Sequence, residues 1–292
     1  MLVSFFLILL SLFGVFCSPI KQLRQLTFPL HQLCLNFAPN SIFKSDYQAL
    51  VCAANSYSQK KLLQSSGLIH LFIIFGLQIF FIQLASKKIF SKYCYQNYFN
   101  FTFVFFLLSL TAFHPTSLRL AIALFLRELS RQRKLFWSPL QIAIFSGFSS
   151  LALEPELWQS ISLLLGLSAA LGFGFFYRSS NFKKLIFVYI FTFPVMMGLP
   201  NAHPLLSLGF FCLSRPILLV LFPLATLSFF NFTAEFIIDC FWQKLYNLAE
   251  ILRAHFLIFE NSANFSITEM WVYLIFLMSL LLHLENKTAR NL

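Results

Sequence analysis

The chain has 292 residues, 59% of them hydrophobic and 11% charged, with a mean hydropathy of +0.77. A soluble domain carries about 25% charged and roughly 45–50% apolar residues, so this composition excludes an ordinary soluble globular domain and makes lipid part of the solvent. The net charge of +11 would point to a nucleic-acid partner in a soluble protein, but basic residues also set loop topology in a membrane protein.

The 41 phenylalanines are spread through every hydrophobic segment rather than gathered into one. Lipid-facing filler therefore explains them better than a base-stacking surface. The six cysteines (Cys17, Cys34, Cys52, Cys94, Cys212 and Cys240) include no CxxC spacing, so no zinc or iron–sulfur pattern exists. Most are expected to act as small apolar residues.

In chain order, the first apolar run is Leu2 to Phe16, followed by Cys17-Ser18-Pro19. It lacks a basic start and a small-x-small cleavage site, so residues 1–18 are expected to be a retained signal anchor. Residues 19–61 are more polar and are expected to form a short extramembrane segment. Cys34 and Cys52 share that segment, which allows a disulfide between them without requiring one.

Apolar runs follow at Leu62–Ala85, Tyr98–Phe113, Ser117–Leu129, Phe136–Leu153, Leu157–Tyr177, Leu185–Leu199, Leu205–Phe230 and Met270–Leu284. The expected fold is all-α: a polytopic helical membrane protein of about eight or nine transmembrane or partly inserted helices. Residues 62–285 form its membrane domain and 286–292 a tail. Between the last two runs, 234–261 alternates charged residues with apolar ones three or four apart, which predicts an amphipathic helix at the interface.

Loop charges set the orientation. Lys87, Lys88 and Lys92 fall in one loop, Arg127, Arg131, Arg133 and Lys134 two segments later, and Arg178, Lys183 and Lys184 two later again. The alternate loops His114–Thr116, Glu154–Glu156 and Pro200–Pro204 hold no Lys or Arg. The basic loops and the amino terminus are therefore expected in the cytoplasm, and 19–61 outside. Whether 205–230 crosses once or folds back at Arg215-Pro216 is left open, and with it the side of the 234–261 helix. A charge beside a helix-breaking proline in an apolar run is tolerated only against protein or a wet cavity.

No GxSxG, Walker loop, GxGxxG, HExxH or HxHxDH pattern occurs. No catalytic residue, metal ligand or cofactor is expected, and the chain is not expected to be an enzyme. The first informative stretch runs from Ser65 to Gln78. At about 100° per residue Gln64, Gly67, His70, Ile74 and Gln78 share a third of the helix circumference, a polar stripe that faces a neighbouring helix or a water-filled path.

Gly67-Leu68, His70-Leu71 and Gly76-Leu77 resemble the signature of the membrane domain of the ComEC family of DNA-uptake proteins, which reads approximately sGLsHLlaiSGLHi. Phe75 stands in place of its Ser and Gln78 in place of its second His. His114-Pro115-Thr116-Ser117-Leu118-Arg119 resembles the family's run of Pro, small residues and Arg that opens a helix. Arg119 is expected at the outer end of its segment, to meet phosphate or to snorkel to the interface. Glu154-Pro155 and the later Leu171-Gly172 resemble its acidic-Pro element and the helix that follows. Phe193-Pro194, His203-Pro204 and Arg215-Pro216 resemble its series of prolines.

The resemblance covers residues 47–285. It implies a path for single-stranded DNA across the cytoplasmic (inner) membrane in natural transformation, with His70, Gln78, Arg119 and Arg215 as candidates to line it. The lipid bilayer and single-stranded DNA are the implied partners, with a separately encoded DNA receptor, nuclease and motor ATPase. Self-association is open. Family members commonly carry an OB-like domain and a nuclease domain, both expected to be missing here. Two other readings stand beside it: a transporter of small anionic solutes or lipids, and a diverged partner that conducts nothing.

Overall fold

A computed structural model describes residues 19–54, 62, 96–198, 220–221, 223–228, 232–256 and 265–290. Among these residues no strand occurs, so the described part of the chain is all-α, as expected. The helices are α1 (Pro19–Phe37), α2 (Lys44–Cys52), α3 (Gln96–Leu110), α4 (Pro115–Gln132), α5 (Pro139–Leu153), α6 (Ile161–Phe175), α7 (Asn181–Met197), α8 (Phe232–Phe256) and α9 (Ile267–Arg290). A 3-10 turn, Pro155–Gln159, joins α5 to α6. The anchor expected at 1–18 lies outside the described residues, as does all of the 62–85 segment except Leu62.

Serine caps and prolines explain several helix ends. Ser138 starts α5 with a capping box: its hydroxyl accepts from Gln141 N, and the Gln141 side chain accepts from Ser138 N. Ser160 accepts from Leu163 N, and this cap splits the expected run Leu157–Tyr177 into the 3-10 turn and α6. At the other end of the chain, α9 continues to Arg290, so most of the expected tail is helix.

One described helix is long and apolar enough to cross a membrane. Within α9, Ile267–Lys287 has 21 residues with a mean hydropathy of 1.8. Helices α5 and α6 carry no charged residue, but at 15 residues each they are shorter. That length is about 22 Å of helix against the ~30 Å hydrocarbon layer.

The chain divides into two compact units, one of Met1–Ile20, Arg119–Pro204 and Asn261–Leu292, the other of Lys21–Leu118 and Leu205–Glu260. In the first unit α6 packs against α5, α7 and α9. Glycines let the backbones meet: a Cβ on Gly172 would lie 2.9 Å from Val188 Cα on α7, and one on Gly174 2.9 Å from Leu140 Cα on α5. The buried hydroxyls of Ser146, Ser150, Ser168 and Thr192 each donate to a carbonyl three or four residues back in their own helix. Each polar group is thus satisfied without water.

In the second unit, the segment expected as a short extramembrane stretch forms the helix pair α1 and α2, bridged by a disulfide between Cys34 and Cys52 (Cα–Cα 5.9 Å). Its core joins Phe43, Tyr47 and Leu50 to Ile238, Trp242, Leu245, Tyr246 and Ala249 of α8, with Leu62, Leu221 and Ala225. Of the stretch expected as an amphipathic helix, 234–261, residues 234–256 lie in α8, which buries one face on α2, and 257–261 lie outside the described residues.

Candidate functional site

Helix α3 ends through Ala112 and Phe113, both in left-handed backbone (φ 48° and 54°), a conformation that costs non-glycine residues about 1–3 kcal/mol. The unwound carbonyls are held from α1. Arg24 donates from Nε to Ala112 O (2.9 Å) and from Nη2 to Phe113 O (3.2 Å). His31 Nδ1 donates to Leu110 O at 2.6 Å, since a carbonyl can only accept. These two side chains satisfy the orphan acceptors of a helix carboxyl end, and the Arg24 guanidinium lies where its dipole favours positive charge.

His114 follows at once, its Nδ1 3.0 Å from Thr116 Oγ1. Burial first, and the Arg24 cation second, push its pKa down from 6.5 to about 4. It is neutral at physiological pH.

Two tyrosine–aspartate pairs cross between α2 and α8 in opposite senses. Tyr246 OH donates to Asp46 Oδ1 at 2.5 Å, and Tyr47 OH donates to Asp239 Oδ1 at 2.9 Å with Glu235 O at 3.1 Å. Asp46 and Tyr47 are fully buried. Burial, then Asp239, hold the Tyr47 hydroxyl well above the usual tyrosine pKa, so it stays a donor and not a base. These pairs fix one helix on another, and their partners lie 192 and 200 residues apart. No local sequence signal announces contacts at that separation.

The expected site residues fall in different places. Arg119 is 8% exposed, and its Nε finds no hydrogen-bond partner. Arg119, expected at the outer end of its segment to meet phosphate or snorkel to the interface, is thus a buried side chain of α4. Pro115 is the first residue of α4, where its missing N–H costs nothing. Glu154 is buried between α5 and the 3-10 turn that Pro155 opens. Gly172 is a packing contact of α6 with α7. Gly67, His70, Gly76, Gln78, Pro204, Arg215 and Pro216 lie outside the described residues.

Among the described residues no group of three or more His, Cys, Asp or Glu side chains could hold a metal ion. Comparison with protein-family models, with curated proteins and with solved structures finds no match.

Proposed function

We propose that the chain is a multi-pass helical protein of the cytoplasmic membrane that contributes to a path for single-stranded DNA during natural transformation. The observation that carries the membrane part is the surface of α9. Its inner face buries Met270, Trp271, Leu274, Leu277, Met278 and Leu281. Its outer face exposes Val272, Ile275, Phe276 and Leu280, at 63%, 48%, 67% and 42%.

A helix apolar on both faces suits lipid on the side that protein leaves bare. Exposed Phe105, Phe106, Phe148, Phe173 and Ile190 on α3, α5, α6 and α7 support the same reading for the shorter helices. On α1 the exposed residues Leu26, Leu30, Leu33 and Phe37 form one stripe at helical spacing, as on a helix lying in the interface.

The DNA part rests on the order and spacing of the four motif groups that resemble the ComEC membrane domain. In this reading the chain supplies a wet route, while separate proteins bind, cut and pull the strand. Inactivating the gene in a transformable host should abolish transformation and the entry of labelled DNA into the cytoplasm, with binding of DNA at the cell surface unchanged. Unchanged transformation would refute the DNA reading and leave the anionic-solute or lipid transporter and the diverged partner that conducts nothing.

A further inference from the structure

We infer that α8 lies on the outer side of the membrane, in one disulfide-linked module with α1 and α2. The inference rests on the multi-pass reading above and settles what loop charges alone leave open, the side of this helix.

Three observations fix the side of α1 and α2. A disulfide such as Cys34–Cys52 forms and persists in an oxidising compartment, outside the cytoplasm. Arg24 and His31 on α1 hold the carbonyls of Leu110, Ala112 and Phe113, just before a loop with no Lys or Arg. The far end of α4 and the residues after it carry Arg127, Arg131, Arg133 and Lys134, so the 110–116 end of α3 is the outer one.

Helix α8 shares the core of α2 through Trp242, Tyr246 and Ile238, and is tied to it by both tyrosine–aspartate pairs. A helix whose buried face is spent on an outer module belongs on that side.

The start of α9 gives an independent indication from the other unit. Trp271 stacks on Trp158 (centroids 4.8 Å apart, planes 6° apart) and donates its indole N–H to Trp158 O at 2.8 Å. Trp158 belongs to the turn after Glu154, a loop without basic residues and therefore outer. Paired indoles at that level suit the membrane–water boundary. The opposite end of α9 carries Lys287 and Arg290, as a cytoplasmic end should. Helix α8 thus lies on the outer side of the membrane.

The native Cys240, free and exposed on α8, reports the side directly. Cys17, Cys94 and Cys212 are replaced by Ser, leaving Cys34–Cys52 oxidised. A membrane-impermeant maleimide applied to intact spheroplasts should then label Cys240 without permeabilisation. Lys134→Cys, in the same background with Cys240→Ser, should label only after permeabilisation. Gln243→Cys, exposed one turn further on, serves as a second reporter should lipid shield Cys240. Labelling of Cys240 and Gln243→Cys only after permeabilisation overturns the inference. Labelling of Cys240 and Lys134→Cys alike from outside overturns the loop orientation on which the inference rests, and the inference with it.

Discussion

An alanine at Gly174 would place a methyl carbon 2.9 Å from Leu140 Cα, 3.0 Å from Leu140 N and 3.0 Å from the Pro139 carbonyl oxygen. Ordinary carbon–carbon contact needs about 3.5–4.0 Å, so α5 and α6 must separate by roughly half an ångström or more. The atoms met are backbone, and the capping box at Ser138 and Gln141 fixes that end of α5, so no rotamer relieves the clash.

Gly172→Ala meets Val188 Cα at 2.9 Å and Val188 N at 3.2 Å, again backbone. Gly147→Ala meets only the ends of Leu167, Cδ1 at 2.8 Å and Cδ2 at 3.0 Å, which a side-chain rotation can move. Overpacking costs about 1–3 kcal/mol, while alanine gains up to about 1 kcal/mol over glycine inside a helix. Gly172→Ala and Gly174→Ala should therefore destabilise by about 1–2 kcal/mol, and Gly147→Ala should be near neutral. Unfolding of the purified variants in mixed detergent–SDS micelles measures the ranking. Equal losses at all three positions, or none at Gly172 and Gly174, would refute the close backbone approach.

Three further outcomes follow from the second unit. Replacing Cys34 and Cys52 by Ser should cost about 3 kcal/mol, the chain-entropy value for a loop of this size, read as a drop in the unfolding midpoint that matches reduction of the native protein. Tyr246→Phe should cost about 1.5–3 kcal/mol by removing the donor to the buried Asp46 carboxyl, measured as protease resistance of α8. Below pH 6.5 the unfolded chain takes up a proton that folded His114 refuses until about pH 4, so its contribution to stability, full above 6.5, is lost as pH falls through that window. Its slope is at most about 1.4 kcal/mol per pH unit, and His114→Gln should flatten this part of the pH profile of thermal stability.

The helices were legible where long apolar runs carry them. The run Tyr98–Phe113 becomes α3, Phe136–Leu153 becomes α5, and Met270–Leu284 lies inside α9. Ends were less legible, because single caps decide them. Ser160 starts α6 and Ser138 starts α5, three residues away from where hydropathy alone would put the first and two from the second. The 19–61 segment reads as polar because lysines and the mid-helix Pro29 interrupt it, yet its stripe Leu26, Leu30, Leu33 and Phe37 already has helical spacing. Tyr47, Asp239, Asp46 and Tyr246 carried no signal, since their meaning arises only when α2 and α8 meet. The burial of Arg119 is not legible, because hydropathy cannot tell which side of α4 turns inward.

The account stands or falls on repeated crossing of the membrane. Truncated fusions to green fluorescent protein and to alkaline phosphatase, joined after residues 95, 115, 134, 158, 181 and 202, read the side of each junction. The account predicts alternation: fluorescence without phosphatase activity at 95, 134 and 181, and phosphatase activity without fluorescence at 115, 158 and 202. Junctions from 95 to 202 that all report the same side would contradict it, since no segment of that region would then cross the bilayer.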